Sequence, residues 1–212
     1  MSTKPTLVWD FNGTLLYDIE ACVNALNVIL KAHKLNPITL DYYKQHFGFP
    51  AANFYLHLGM KIETPYDWDA LAESFHMRYI FSKTLSLQPG AMQCVQTFHQ
   101  LGYTQGVLSA LEQDLLDLQM EQFGLARPMQ FICGSRNYDG ATKLDTAKRL
   151  QLDGPVVMIG DTLHDAEVAA AMGWQCILCS NGHQTHARLQ AANVPIIPTL
   201  FELQDAIQQL TF

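Results

Sequence analysis

The chain carries little charge, and least of all positive charge. Its 212 residues hold 13 Lys and Arg against 20 Asp and Glu, a formal net charge of -7. The few cations are scattered, so a nucleic-acid backbone or an anionic membrane surface is repelled, and neither partner is expected. Long apolar runs are missing too. The opening MSTKPTLVWDFNG is interrupted at Asp10, too short for a signal core, and no window has the length a membrane span needs. Cysteines are few and odd in number, five spread along the chain, which fits the reduced thiols of a cytoplasmic protein. There is no internal repeat and no low-complexity tract. What is present is a hydrophobic content of 49%, enough for a globular core, on a length that suits one domain with an insertion. A phosphorylated small molecule is compatible with so acidic a chain if a metal or a lysine supplies positive charge locally.

Short apolar runs at Thr6–Phe11, Gln105–Ser109, Phe131–Gly134, Val156–Ile159 and Cys176–Cys179 have the length and composition of buried strands. Between and after the later ones, Ala91–Leu101, Gln113–Phe123, Lys143–Leu150, Asp165–Met172 and His186–Ala192 place apolar residues at helical spacing. Alternating strand and helix predicts an α/β protein with a doubly wound, mostly parallel, Rossmann-like sheet, whose ligands bind beyond the carboxyl ends of the strands. Residues 17–87 break this rhythm. DIEACVNALNVILKAHKL reads as an amphipathic helix with Ala21, Ala25, Val28, Ile29 and Ala32 on its apolar side. Further helical segments follow, punctuated by Pro50 and Pro65. The expected organisation is a core domain of residues 1–16 and 88–212 and a small helical cap of residues 17–87, with hinges near Leu16–Asp18 and Leu87–Gly90.

Two carboxylates end predicted strands. Asp10 closes the first and is followed by Asn12, Gly13 and Thr14; Asp161 closes VVMIG, and Asp165 follows near a helix start. Turns and helix caps use the same residue types, and Thr162 with Asp165 suits a cap. Asp161 precedes any cap, so capping does not account for it. Three such carboxylates could converge on a hard divalent cation that fills its remaining sites with water and phosphate oxygens.

Four stretches in this order, DFNGTL, GVLSA with Ser109, GATKLDTAKRL with Lys143, and GDTLHD, resemble the motifs of the haloacid dehalogenase-like hydrolases. LQPGAM before the second of them, and a helical insert after the first, resemble the phosphoglycolate-phosphatase-like branch. The resemblance spans nearly the whole chain and implies a Mg²⁺-dependent phosphatase. Asp10 would be the nucleophile that forms an aspartyl-phosphate. Asp10, Asp161 and the backbone carbonyl of Asn12 would hold Mg²⁺, with Asp165 supporting the metal or orienting Lys143. Thr14, Ser109, the Ala110 N–H and Lys143 would bind the phosphoryl group. The substrate would be a small phosphorylated metabolite; nothing in the sequence names it, or the oligomeric state.

The sequence departs from the family motif at Asn12, where the resemblance calls for the aspartate that protonates the leaving group and then deprotonates water. An amide does neither, and that loss is worth about 10²–10⁴-fold. A slow phosphatase follows, least hindered on leaving groups that need no proton, such as acyl phosphates. The alternative is a weakly active or inactive binding or regulatory protein on the same fold. A third reading, phosphonate hydrolysis, would use a cap lysine from Lys31, Lys34, Lys44 and Lys61. His46 or His57 could supply a proton from the cap, and the Asn12–Gly13 pair could deamidate to restore an acid. Phosphomutase chemistry needs the acid and is excluded. Cys176, Cys179, His183 and His186 suggest zinc, but three residues between the pairs are too few, and the cysteines fall on opposite faces of a strand. FGFPAANFY is better read as cap core than as the lining of a substrate entrance.

Overall fold

The computed structural model describes residues 4–135 and 142–211; Gly140 and Ala141 of the lysine motif lie outside them. The chain begins with β1 (Thr6–Trp9) and a two-residue β2 (Leu16–Tyr17). Helices α1 (Ile19–Ala32), α2 (Leu40–His46), α3 (Ala51–His57) and α4 (Pro65–Ile80) follow, and β3 (Ser86–Leu87) returns antiparallel to β2. The remainder alternates: α5 (Ala91–Gln100), β4 (Gln105–Glu112), α6 (Gln113–Gln122), β5 (Phe131–Ser135), α7 (Thr142–Arg149), β6 (Val156–Gly160), α8 (Leu163–Met172), β7 (Gln175–Cys179), α9 (His186–Leu189), β8 (Ile196–Ile197) and α10 (Leu203–Gln208).

Six strands pair in the order β5-β4-β1-β6-β7-β8, all parallel. The alternation of side chains along a strand sorts β1 cleanly. Leu7 and Trp9 join one apolar cluster with Val95 and Phe98 of α5, Leu116 of α6 and Leu203 of α10. Val8 joins the other, with Ala147 of α7, Val168 of α8 and Leu189 of α9. Both faces are covered, as a parallel sheet requires. The two cysteines set aside as zinc ligands separate by the same rule: Cys176 falls in the second cluster and Cys179 in the first.

Every expected strand of the sheet forms, although β4 continues past Ser109 to Glu112 through a register shift. The two prolines punctuate the helical segment: Pro50 precedes α3 and Pro65 opens α4, whose Thr64–Asp67 capping box satisfies its first amides. The apolar stripe of α1 differs from the expected one. Ala21, Ala25 and Ile29 are buried, but Val28 is 51% exposed and Ala32 faces solvent. The larger Ile19, Cys22, Val23, Leu26 and Leu30 direct the buried face instead, because they remove more apolar surface from water than alanine does.

Candidate active site

Asp10 follows β1 and Asp161 follows β6, neighbouring strands of the sheet, so their carboxylates meet at its carboxyl edge. Asp165 enters from the first turn of α8, and Lys143 from the first turn of α7. The ligand atoms of Asp10, Asp161 and Asp165 lie within 4.8 Å of one another. Lys143 Nζ donates to Asp10 Oδ1 at 2.7 Å and to Asp165 Oδ1 at 2.5 Å. All four side chains are buried. Three carboxylates against one ammonium leave two negative charges uncompensated. Burial, followed by its carboxylate neighbours, pushes the Asp10 carboxyl up despite Lys143. Burial and Asp165 raise Asp161 to about 6. The two opposing carboxylates hold Lys143 cationic against the effect of burial.

Asp161 is held tightly. Its Oδ1 accepts from Thr14 Oγ1 at 2.9 Å and its Oδ2 from the His183 N–H at 2.6 Å. Glycine backbone packs on both sides of it. A Cβ on Gly13, which has φ +77°, would stand 2.3 Å from Asp161 Oδ2, and one on Gly182 2.2 Å from it, so neither position accepts a side chain. Asp165 is saturated differently. Its Oδ2 accepts from the Thr162 N–H, the Thr162 hydroxyl and the Asp161 N–H, and its Oδ1 takes Lys143. It therefore serves as both cap and lysine anchor, and its own oxygens have little left to offer a cation. The hard-oxygen donors and the two uncompensated charges fit a divalent ion such as Mg²⁺ held by Asp10 and Asp161.

Beside this cluster lies a second, centred on Asp18. Asp18 is the residue before α1, where capping is the ordinary role, yet its side chain makes no cap bond. It turns inward instead. Oδ1 accepts from the Gly13 N–H and from His183 Nε2, each at 3.0 Å. Oδ2 accepts from Asn12 Nδ2 at 2.8 Å and Tyr79 OH at 3.0 Å. Burial pushes Asp18 up, but His183, Asn12 and Tyr79 together bring its carboxyl below the ordinary range. His183 rises to about 9, because the Asp18 carboxylate outweighs burial; its Nδ1 meets Tyr43 OH at 3.0 Å. Asp18 and Tyr79 were not singled out from the sequence as site residues, and His183 drew notice only as a zinc candidate.

Asn12 belongs to both clusters. Since Asp18 only accepts, the amide must turn its nitrogen that way, and Nδ2 also donates to Tyr79 OH at 2.8 Å. The carbonyl Oδ1 is left facing Ser109 Oγ at 3.5 Å. The Gly13 N–H, the nitrogen whose attack would deamidate Asn12, is engaged by Asp18 and by the Leu16 carbonyl. Ser109 Oγ accepts from the Leu111 N–H at 3.1 Å and donates its own hydrogen to Asn12 Oδ1. Thr14 is 1% exposed and supports Asp161 rather than facing the cavity.

A cavity of about 150 Å³ opens over Asp10, Asn12, Ser109, Ala110 and Lys143. Most of its other walls come from the helical segment, with Phe47, Phe49, Phe54 and Tyr55 among them, so FGFPAANFY lines the cavity while Phe54 and Tyr55 are also buried core. The loop after β7 and α9 fasten this segment to the sheet: Gln184 Nε2 donates to the Phe47 carbonyl at 2.9 Å and Arg188 Nη1 of α9 to the same oxygen at 2.5 Å. His46 and His57 do not reach the cavity. They are exposed and stack beside Tyr42, at ring separations of 4.1 and 6.3 Å. None of Lys31, Lys34, Lys44 and Lys61 lines the cavity.

Comparison with known proteins bears on the family and the fold. Residues 7–179 match the family model for haloacid dehalogenase-like hydrolases. No curated protein matches in sequence. Among solved structures, a predicted phosphatase from Clostridium acetobutylicum superposes with a TM-score of 0.82 at 21% identity, over 99% of this chain and 100% of that one. A predicted phosphoglycolate phosphatase from Haemophilus somnus gives 0.74 at 15%, over 99% and 100%. Protein Tyrosine Kinase A of Mycobacterium tuberculosis gives 0.79 at 20%, over 97% and 99%. No helix among the described residues is long and apolar enough to cross a membrane. With four ordered motifs, a shared fold and a family match over most of its length, the chain belongs to the haloacid dehalogenase-like hydrolases.

Proposed function

We propose that the chain is a Mg²⁺-dependent phosphatase-type hydrolase of a small phosphorylated metabolite, working through an aspartyl-phosphate on Asp10, with residues 17–87 acting as its cap. The observation that carries this reading is the Lys143 bridge between Asp10 and Asp165 beside Asp161, at the carboxyl edge of the sheet. Lys143 fixes one oxygen of Asp10 and leaves Oδ2 for attack on phosphorus. Ser109 Oγ–H and the Ala110 N–H, both at the cavity, would hold phosphoryl oxygens. The Lys143 ammonium would offset charge on the nucleophile and the transferring group. Mg²⁺, held by Asp10, Asp161 and the Asn12 carbonyl, would lessen the repulsion between an anionic phosphate and an anionic carboxylate. Water would then cleave the aspartyl-phosphate and regenerate Asp10.

Asn12 favours a second reading, a weakly active binding or regulatory protein on the same fold. Phosphonate hydrolysis has no support, since no cap lysine lines the cavity. Turnover of acetyl phosphate and p-nitrophenyl phosphate with and without Mg²⁺, in wild type and Asp10→Asn, separates the two. Mg²⁺-dependent turnover that Asp10→Asn abolishes is expected of the enzyme. Silence of the wild type on both substrates means a binding protein.

A further inference from the structure

The cavity constrains the substrate in two independent ways. The first is chemical. At Asn12 a fixed amide carbonyl stands where the leaving oxygen would need a proton. The other protic groups lining the cavity do not fill the role. His183 has Nε2 on Asp18 and Nδ1 on Tyr43. His76 is held neutral by burial, and its Nδ1 faces the Ala72 carbonyl at 2.7 Å, so that nitrogen carries the proton. Tyr79 OH and Cys22 Sγ both donate to Asp18 Oδ2, Tyr43 OH meets His183 Nδ1, and burial pushes Tyr55 to weaker acidity. The leaving oxygen therefore departs as an anion. An alkoxide is about as poor a leaving group as hydroxide, whose acid has pKa ~15.7. A phenolate, with an acid of pKa about 10, is better by several powers of ten.

The second constraint is the wall. Leu26, Phe47, Phe54, Tyr55, Trp68 and Phe75 line the space beyond Asn12 and Ser109. Phe47 and Phe54 stand edge to face at 5.6 Å, as do Tyr55 and Trp68 at 5.4 Å, the geometry in which aromatic rings accept another. The whole cavity, phosphoryl site included, has a volume of about 150 Å³, which limits what stands beyond the phosphate to a small group. The cations at this cavity are already paired, Lys143 with Asp10 and Asp165 and His183 with Asp18. A second anionic group on the substrate, carboxylate or phosphate, would be buried without a partner.

We propose that the substrate is a free monocyclic aryl phosphate, a phosphate ester of a phenol-type hydroxyl with no further anionic group. The inference rests on the phosphatase reading above. Asp10 Oδ2 forms the new bond to phosphorus, and the aryl O–P bond breaks with its electron pair leaving on the phenolate. Water entering from solvent protonates that oxygen. A second water cleaves the aspartyl-phosphate, so that aryl phosphate and water give phenol and inorganic phosphate.

The test compares phenyl phosphate with benzyl phosphate, which carries the same ring on an alkyl leaving group, using the full chain with Mg²⁺. Acetyl phosphate and a phosphotyrosyl peptide complete the set. Phenyl phosphate is expected to exceed benzyl phosphate at least ~10²-fold in kcat/KM, the share ordinarily supplied by the missing acid, and benzyl phosphate to inhibit competitively. Trp68→Leu is expected to raise KM for phenyl phosphate about tenfold more than for acetyl phosphate. Equal rates on phenyl and benzyl phosphate, with acetyl phosphate turned over, overturn the aryl inference while the phosphatase reading stands. Failure on every substrate, acetyl phosphate included, overturns the phosphatase reading itself. A phosphotyrosyl peptide cleaved with higher kcat/KM than phenyl phosphate replaces the free metabolite with a protein.

Discussion

Two buried polar clusters sit side by side in this molecule, and they balance charge in opposite ways. Around Lys143, three carboxylates face one cation, and burial raises Asp10 and Asp161 above their ordinary range. Around Asp18, one carboxylate collects His183, Asn12, Tyr79 and the Gly13 N–H, and it falls below the ordinary range. A buried polar group costs free energy only where it lacks partners. The Asp18 cluster is thus closed, and any ligand entering it would break bonds already made. The Asp10 cluster is open, and a divalent cation would complete it. The same residue types, aspartate and a base, give scaffold in one case and chemistry in the other, according to whether the charges add to zero.

Breaking the open cluster should have the largest effect. Asp10→Asn is expected to lower kcat by at least about 10³-fold, with the fold intact by circular dichroism. Next is Asn12, the seam between the clusters. Asn12→Asp is expected to raise kcat on benzyl phosphate by about 10²–10⁴-fold and to flatten the dependence of rate on leaving-group acidity. The new carboxylate would stand beside Asp18, where the amide nitrogen now lies 2.8 Å away, so like charge should lift it and help it hold the proton it must donate. A pH–rate profile that gains an acid limb above the ordinary aspartate value would record this.

The closed cluster is broken at His183. Its pKa is raised above the unfolded value, so its contribution is complete below about 6.5 and is lost as pH climbs through about 9. The expected magnitude is ~3 kcal/mol. Denaturant unfolding of wild type in chelator should weaken over that window, and His183→Gln should lose the dependence. At the acid end the same pair fails as Asp18 protonates, below its ordinary range. The metal sharpens the contrast further. Mg²⁺ at ~100 times its Kd is expected to stabilise wild type by about 2.7 kcal/mol, read as a rise in Tm, and Asp161→Asn should abolish the rise. The smallest effect is at the Asn12–Gly13 bond: with the Gly13 N–H engaged twice, a peptide map of aged folded protein should show only Asn12.

The sheet and its helices were legible because long apolar runs and helical spacing are local signals. β8, the β2–β3 ribbon and α10 were not. A two-residue strand has no periodicity to read, and Leu16 pairs with Leu87 across the whole helical segment. The site divides the same way. Asp10 and Asp161 stood out by following predicted strands, whereas Ser109 and Lys143 were reached only through the resemblance of GVLSA and GATKLDTAKRL to the family motifs. Asp18 and His183 lie 165 positions apart, and no pattern around either points to the other. His46 and His57 illustrate the converse: their place in the helical segment suggested access to the site, but they pack beside Tyr42 on its outer side.

The glycines pressed against Asp161 have a consequence for turnover. With backbone on both sides and a donor on each oxygen, this carboxylate is held in one place. The conformational entropy that a freely rotating aspartate would surrender each time it engaged a ligand is surrendered once, during folding. Binding at this position therefore draws on a side chain already ordered, and the two glycines are what make that ordering sterically possible.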